Sequence, residues 1–380
     1  MKRVLILGGG FGGVAAARRL RQTLDEKDEV ILVDRRDYFM VGFRKTWALV
    51  GQSTLEAGQG RLDSLTRLGI RVMHDPVTRI DPAARTAWMG DQRLSADAMV
   101  IALGAELAGE TIPGFEQHAY SVYDPNDIPR AAQALQDFRG GRLLIGVFGV
   151  PYKCPPAPYE MALLVRETLR NRGVSAEIEV FTPLPVSMPL LGQTGCDSIE
   201  SRLADNGIAF LPNRKASAVE AGEVVFPNER RQFDLLFGVA PHRPPAVVRA
   251  GGLVGESGWG TVDRQTLETQ FPGVYAVGDV VQINMANGKP LPKAGVFAEA
   301  MGETAADHIA ATFAGREPDA SFKGEGGCYL EVGGGQAMTV KGRFLAAPAP
   351  EVALLEASAA QLEEKRLFEM QRLQSWFGSV

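Results

Sequence analysis

The sequence predicts an α/β fold built from two dinucleotide-binding units, the second degenerate, followed by a helical C-terminal segment. Three observations carry that prediction. Residues 2–7 form a short apolar run that enters Gly8-Gly9-Gly10-Phe11-Gly12-Gly13, and Ala15, Ala16, Ala17 and Leu20 follow at helical spacing. A second apolar run, residues 29–33, ends on Asp34. A further strand–helix–strand succession starts near residue 142, but prolines fill the place of its glycine turn.

In the first unit, a Rossmann-like fingerprint, each part has a physical task. Gly8 permits the tight turn, Gly10 lets backbone N–H groups approach a pyrophosphate, and Gly13 lets the helix pack close to the strand. The helix start adds unpaired donors and the positive end of a dipole. Asp34, about 20 residues past the last glycine, can accept hydrogen bonds from ribose hydroxyls. Arg35 beside it reads equally as an adenine or phosphate contact and as a solvated charge. Trp47, in an apolar stretch at 39–51, reads as core or as the wall of a ring pocket.

A chain of 380 residues holds two or three domains, and 45% hydrophobic with 22% charged residues indicates a packed globular protein. The net charge of −5 is not that of a nucleic-acid binder. No apolar run approaches the roughly 18–20 residues of a membrane helix. The first apolar run is consumed by the glycine turn and is not read as a signal peptide, so a cytoplasmic protein is expected. Three cysteines make no disulfide framework, and no metal site is read.

Strands are expected at 70–75 and 85–89 around an Asp81-Pro82 turn, and at 98–103, ending in Gly104-Ala105. A Gly/Pro/Asn/Asp-rich crossing at 109–128 precedes a helix at 128–138 and a strand at 142–147. There the second glycine turn fails: four prolines lie between 151 and 158, and proline has no N–H to offer a phosphate. A helix resumes at 159–170, and the strand at 177–182 ends with no acid for a ribose. A helix at 195–206 carries Cys196, and a strand at 233–239 leads to His242 in a proline-rich corner. The run Val274-Tyr275-Ala276-Val277-Gly278-Asp279 delivers a carboxylate at a strand end just after a glycine. Lys293 stands before a helix at 296–312 whose first residue is Val296, and Cys328 begins a strand at 328–332. The tail, 349–380, is expected to be largely helical. Leu355, Leu362, Met370, Leu373, Trp376 and Phe377 share one broad face, suited to the protein's own core, a second subunit of a homo-oligomer, or a peripheral membrane contact.

The glycine turn with Asp34, the Ala-Val-Gly-Asp ending at Asp279 and the stretch Lys153-Cys154-Pro155-Pro156-Ala157-Pro158-Tyr159-Glu160 occur in that order. Together with Gly326-Gly327-Cys328-Tyr329 and Trp376-Phe377-Gly378, they resemble the sulfide:quinone oxidoreductase family and its relative, the flavoprotein subunit of flavocytochrome c sulfide dehydrogenase. The resemblance implies two Rossmann-like domains. The first, 1–110 with 246–315, would bind FAD; the second, 111–245, would be a degenerate NAD-binding-like domain; and 316–380 would carry a redox cysteine and the amphipathic helix. It also implies a redox-active pair, matched by Cys154 and Cys328. Many members carry a third functional cysteine before the second domain, and this sequence has none between 1 and 153; Cys196 reads as a packed thiol. The covalent FAD linkage of the flavocytochrome relatives uses an early cysteine, so FAD is expected to be non-covalent here. Gly104 and Gly278 would approach the cofactor, Asp279 a ribityl hydroxyl, and the helix start at Val296 with Lys293 the anionic edge of a reduced flavin. Leu103 stands where such flavoproteins usually have Thr.

On that resemblance, sulfide attacks a Cys154–Cys328 disulfide by thiol–disulfide exchange, and the electron pair leaves through FAD to a quinone. Glu160 reads as a proton acceptor near Cys154 or as a structural charge. The rival readings are an NAD(P)H-dependent flavoprotein quinone reductase, a sulfide dehydrogenase flavoprotein with a cytochrome acceptor, a glutathione-reductase-like disulfide enzyme, and a flavin-binding redox sensor without turnover.

Overall fold

In the computed structural model, which describes residues 1–378, the described residues form two five-stranded parallel sheets and five smaller antiparallel ones. The first sheet runs Val274–Ala276, Ala98–Ile101, Arg3–Leu7, Glu29–Val33, Ile70–Met73. Val4–Leu7 and Val30–Val33 are wholly buried, as continuous apolar strands covered on both faces must be. In register, Leu7 faces Val33 on one side and Ile101 on the other, so the strand ends bearing Gly8, Asp34, Gly104 and Gly278 lie along one edge. Strand order reverses there, and α/β sheets bind their ligands at such points.

The late helix Gly295–Phe313 packs against the fingerprint helix Phe11–Thr23. The approach is close: a Cβ on Gly302 would stand 2.1 Å from the Gly12 carbonyl oxygen, and one on Gly12 3.0 Å from that of Ala298. The second sheet repeats the first, in the order Tyr120–Ser121, Leu235–Val239, Gly141–Val147, Ala176–Phe181, Ile208–Leu211. Its crossover helix, Ala157–Asn171, begins two residues before the expected 159, because Pro156 is its N-cap and Pro158 falls in the first turn, where a missing N–H costs nothing.

Two expectations need correction. Residues 77–81 are a strand, so Asp81-Pro82 turns a meander Val77–Asp81, Thr86–Met89, Gln92–Ser95. The tail is not helical from 349: Glu351–Ser358 is the third strand of an antiparallel sheet with Glu325–Gly333 and Gln336–Arg343. Its Leu, Ala and Glu favour helix, but Pro348 and Pro350 isolate the segment and pairing with its neighbour decides the conformation. Ser358 then caps Ala359–Arg372 by accepting from Gln361 N at 3.2 Å. Residues 379 and 380 of the expected tail lie outside the described residues.

The apolar face of the tail lies largely on the protein's own core. Leu362, Trp376 and Phe377 are buried; Met370 is exposed. Phe11, next to Gly10, packs edge-on against Phe39 and Trp376, and Phe377 stacks on Phe39. Arg67 donates to the Phe377 carbonyl at 2.5 Å and Arg18 to that of Ser375 at 2.9 Å. Among the described residues, no helix is long and apolar enough to cross a membrane.

Candidate active site

The nucleotide cradle sits at the shared strand edge. Gly8 is at φ +109°, and a Cβ there would lie 2.2 Å from the Ala102 carbonyl oxygen; one on Gly13 would lie 1.8 Å from that of Gly8. Both positions therefore require glycine for close backbone contact. Gly10 differs: its Cβ would meet nothing within 4 Å, so the turn faces open space where a diphosphate would lie. Gly104, at φ +67°, faces open space too. The Asp34 carboxylate is buried and accepts from Gly9 N at 2.6 Å and Arg36 N at 2.8 Å. Both Arg35 and Arg36 are exposed, and it is Arg36, 3.5 Å from that carboxylate, that stands beside the acid in place of the expected Arg35.

Across the cleft, Gly278 is at φ +78° and its Cβ would meet the Ala298 methyl at 2.9 Å. Asp279 follows, half-buried. Lys293 is buried, donates to the carbonyls of Asp279 at 2.7 Å and Val281 at 2.9 Å, and lies 3.5 Å from the Trp259 ring centroid. Its ammonium braces the Asp279 turn, so the expectation of a lysine free to meet a flavin edge is corrected. Burial lowers its pKa to about 8, against the opposing pull of Asp279. Val296 is half-buried in the first turn of its helix.

Sequence reasoning missed two cations. Burial and the nearby Lys153 charge lower Lys45 to about 7; Lys153 is lowered by burial and by Arg36, while Asp279, Asp124 and Cys154 pull it up. Arg36, Lys45 and Lys153 thus lie close enough to feel one another's charge, with Asp124 acting on both lysines and Asp279 on Lys153. Glycine turns open to space at Gly10 and Gly104, with cationic side chains in the neighbourhood, suit a dianionic diphosphate, so the residues present fit FAD.

Cys154 lies in the loop before Ala157–Asn171, at φ +52°, a left-handed conformation that costs a non-glycine residue about 1–3 kcal/mol. It is held there on both sides: its N–H donates to the Lys293 carbonyl at 2.8 Å, and its carbonyl accepts from the Tyr123 hydroxyl at 3.1 Å and Ala157 N at 3.0 Å. Cys328 is the fourth residue of Glu325–Gly333, opposite Val340. The helix packs on that strand, and both cysteines are half-buried free thiols. Burial pushes the Cys154 thiol up to about 11, with Glu160 adding to it and Lys45 and Lys365 opposing it. Cys328 is pushed up by burial, then by the Cys154 and Glu160 charges. The two thiols and Glu160 therefore share one electrostatic environment.

Glu160 is buried. Its Oε2 accepts from Glu331 N at 2.8 Å and lies 2.9 Å from Lys365 Nζ; its Oε1 has no partner. Cys196 is buried and donates to the Met188 carbonyl at 3.2 Å, as a packed thiol does. The loop replacing the second glycine turn is filled by its own side chains: Phe148 and Tyr152 are buried, and Tyr152 donates to the Pro155 carbonyl at 3.0 Å. His242 donates from Nδ1 to the Ala240 carbonyl at 2.8 Å and packs edge-on to Tyr123. Burial and neighbouring lysines lower it to about 3, so its ring is neutral.

Residues 2–150 match the family model described as pyridine nucleotide-disulphide oxidoreductase. That match covers less than half of the chain. The matched part has an FAD-binding fold of that type. It is 25% identical over 302 residues to the mitochondrial sulfide:quinone oxidoreductase of Mus musculus, covering 74% of this chain and 66% of that one. The sulfide-quinone reductase of Aquifex aeolicus is 25% identical over 334 residues, 81% of this chain and 76% of that one. An alternative NAD(P)H-ubiquinone oxidoreductase of Arabidopsis thaliana is 26% identical over 332 residues, 76% and 63%. The chain thus spans just under two thirds of the length of the mouse and Arabidopsis relatives. The crystal structure of the Aquifex aeolicus sulfide:quinone oxidoreductase superposes with a TM-score of 0.89 at 21% identity, over 99% of this chain and 92% of that one, which establishes the shared fold.

Proposed function

We propose that the protein oxidises sulfide through a Cys154/Cys328 redox pair and a non-covalently bound FAD, and passes two electrons to a quinone. The observation that carries this reading is the convergence of two thiols and a buried carboxylate beside a loop whose prolines and tyrosine occupy the place of a nicotinamide cradle. In the oxidised enzyme the sulfurs form a disulfide. Hydrosulfide attacks one of them; the S–S bond breaks, leaving a persulfide on one cysteine and a thiolate on the other. Glu160 serves the sulfurs through its unpartnered oxygen: it gives its proton to the leaving thiolate and then accepts the persulfide proton in its place. FAD, when bound, supplies the two-electron acceptor between the thiols and the quinone.

For the cofactor we assign Gly8, Gly10, Gly13, Asp34, Gly104, Gly278, Asp279 and Val296, with Arg36 in the place first given to Arg35 and Lys293 bracing the Asp279 turn. The division 1–110 with 246–315, 111–245 and 316–380 is proposed on the membership of the two five-stranded sheets and of the antiparallel sheet that Glu325–Gly333 begins. We further propose a cytoplasmic protein that meets its quinone at a membrane surface. Flotation with quinone-loaded vesicles tests this, and protein confined to the lipid-free fraction refutes it.

The experiment for the central reading is anaerobic stopped-flow of the FAD-loaded enzyme against sulfide and, separately, NADH. Bleaching of the flavin by sulfide and not by NADH is expected, with reoxidation on adding a soluble quinone. Bleaching by NADH alone would transfer the reading to the NAD(P)H-dependent relatives.

A further inference from the structure

The buried surroundings of Glu160 form a charge cluster that the mechanism above does not use. Lys365, on the C-terminal helix Ala359–Arg372, is completely buried. Its ammonium lies 2.9 Å from Glu160 Oε2 and 3.0 Å from Glu331 Oε2. Glu331 also accepts from the Trp47 indole N–H at 2.7 Å and, on its other oxygen, from Gln52 at 3.4 Å. The Lys365 ammonium lies 5.0 Å from the Phe43 and Trp47 ring centroids, so aromatic faces close the remaining side. Two carboxylates and one ammonium leave a single excess negative charge in a water-poor site. Such a site favours one retained proton over two ionised acids.

The hydrogen-bond tally says where that proton sits. Both Glu331 oxygens are engaged by donors, which favour the ionised form. Glu160 has one oxygen engaged and one without a partner. We propose that Lys365 and Glu331 are positioning residues for Glu160: they lock one of its oxygens and hold the shared proton on the other, so that the C-terminal helix sets the protonation state of the group that serves the redox thiols. The proposal rests on the sulfide reading for what the proton is used for, but not for where it is held.

Burial raises the Glu160 pKa, Lys365 and the Glu331 N–H oppose that rise, and the Glu331 carboxylate adds to it. The other titratable groups facing the carboxylate are Cys154, Cys328 and Tyr123. The nearby Arg44–Glu369 ion pair is internally neutral.

The test uses the FAD-loaded enzyme. The infrared difference between native and Glu160→Gln protein isolates the protonated-carboxyl C=O band of Glu160, which is then followed against pH. Lys365→Met is expected to hold that band to higher pH and Glu331→Gln to release it at lower pH, each by about tenfold in the ratio of protonated to ionised acid at the native midpoint. Lys365→Arg should stay near native. Opposite displacements distinguish a positioning role from a merely structural one. A band that titrates alike in native, Lys365→Met and Glu331→Gln enzyme overturns the proposal. If Lys365→Met does not fold, an unmoved band in Glu331→Gln overturns it alone. Displaced bands in an enzyme whose flavin sulfide fails to bleach would sink the sulfide reading and leave the proton-holding cluster standing.

Discussion

Adding one methyl group at either of two glycines should separate packing from cofactor binding. In Gly302→Ala the new Cβ would stand 2.1 Å from the Gly12 carbonyl oxygen, 2.9 Å from its carbon and 3.1 Å from Ala16 N. All three are backbone atoms of the fingerprint helix, so no side chain can yield, and the helices must part by about an ångström to restore ordinary contact. Overpacking of this kind costs about 1–3 kcal/mol. With an unfolding entropy of about 2.1 cal/mol/K per residue, a chain of 380 residues has about 0.8 kcal/mol/K, so the midpoint should fall by about 1–4 °C. The displaced helix carries Gly10 and Gly13 with it, so FAD affinity should weaken as well. Gly10→Ala is the control: its Cβ meets no protein atom within 4 Å, and the apoprotein should melt as native does. That methyl would occupy the space we assign to the diphosphate, and FAD should bind at least about tenfold more weakly, or about 1.4 kcal/mol. Scanning calorimetry of the apoproteins and fluorescence titration with FAD read both effects. Native FAD affinity in Gly10→Ala would refute the placement of the diphosphate. An unchanged midpoint in Gly302→Ala would refute the packing argument.

Other outcomes follow from the same geometry. Cys154→Ala and Cys328→Ala should each abolish flavin bleaching by sulfide while Cys196→Ala keeps it; normal single turnover in the Cys328 variant would remove the pair mechanism. Where Glu160 is ionised its charge pushes both thiols up, so in the reduced Glu160→Gln enzyme alkylation of Cys154 and Cys328 by iodoacetamide should speed up several-fold above the Glu160 midpoint and hardly change below it, read by mass spectrometry. FAD affinity should fall as pH rises through about 7 to 8, because Lys45, lowered to about 7, loses its ammonium there and with it an attraction for the diphosphate. Lys45→Gln should flatten that profile, and a profile that stays steep would exclude the lysine. Glu369→Gln leaves the buried Arg44 guanidinium with half its partner and should destabilise the fold by about 3–5 kcal/mol in urea unfolding, with Arg44→Met/Glu369→Leu recovering much of the loss.

The features readable in the sequence were those in which residue type and spacing are set by backbone geometry. The glycine turn, Asp34 and the Gly278-Asp279 strand end need no distant partner to be recognised, and the prolines at 151–158 announce a lost phosphate site by chemistry alone. The supporting charges were a different matter. Glu160 and Glu331 are 171 residues apart, and Lys365 reaches Glu331 across 34. A buried lysine on an amphipathic helix has no local signature, and the same holds for Lys45 and Lys153, which become informative only once the fold brings them near each other. Arg35 and Arg36 are adjacent and chemically identical, so only the direction of the chain after Asp34 could choose between them. The strand Glu351–Ser358 was hidden for a related reason: its composition favours helix, and the pairing that overrides it is non-local.

The two halves of the nucleotide cleft come from opposite ends of the gene's reading order. Gly8 and Asp34 leave the ribosome early, but the strand Val274–Ala276 and the helix Gly295–Phe313 that close the cleft arrive some three hundred residues later. At about 5–20 residues per second, the early half waits on the order of 15–60 s without its complement. Cofactor loading is thus an event of the finished polypeptide, and a truncated product ending before residue 295 should emerge colourless.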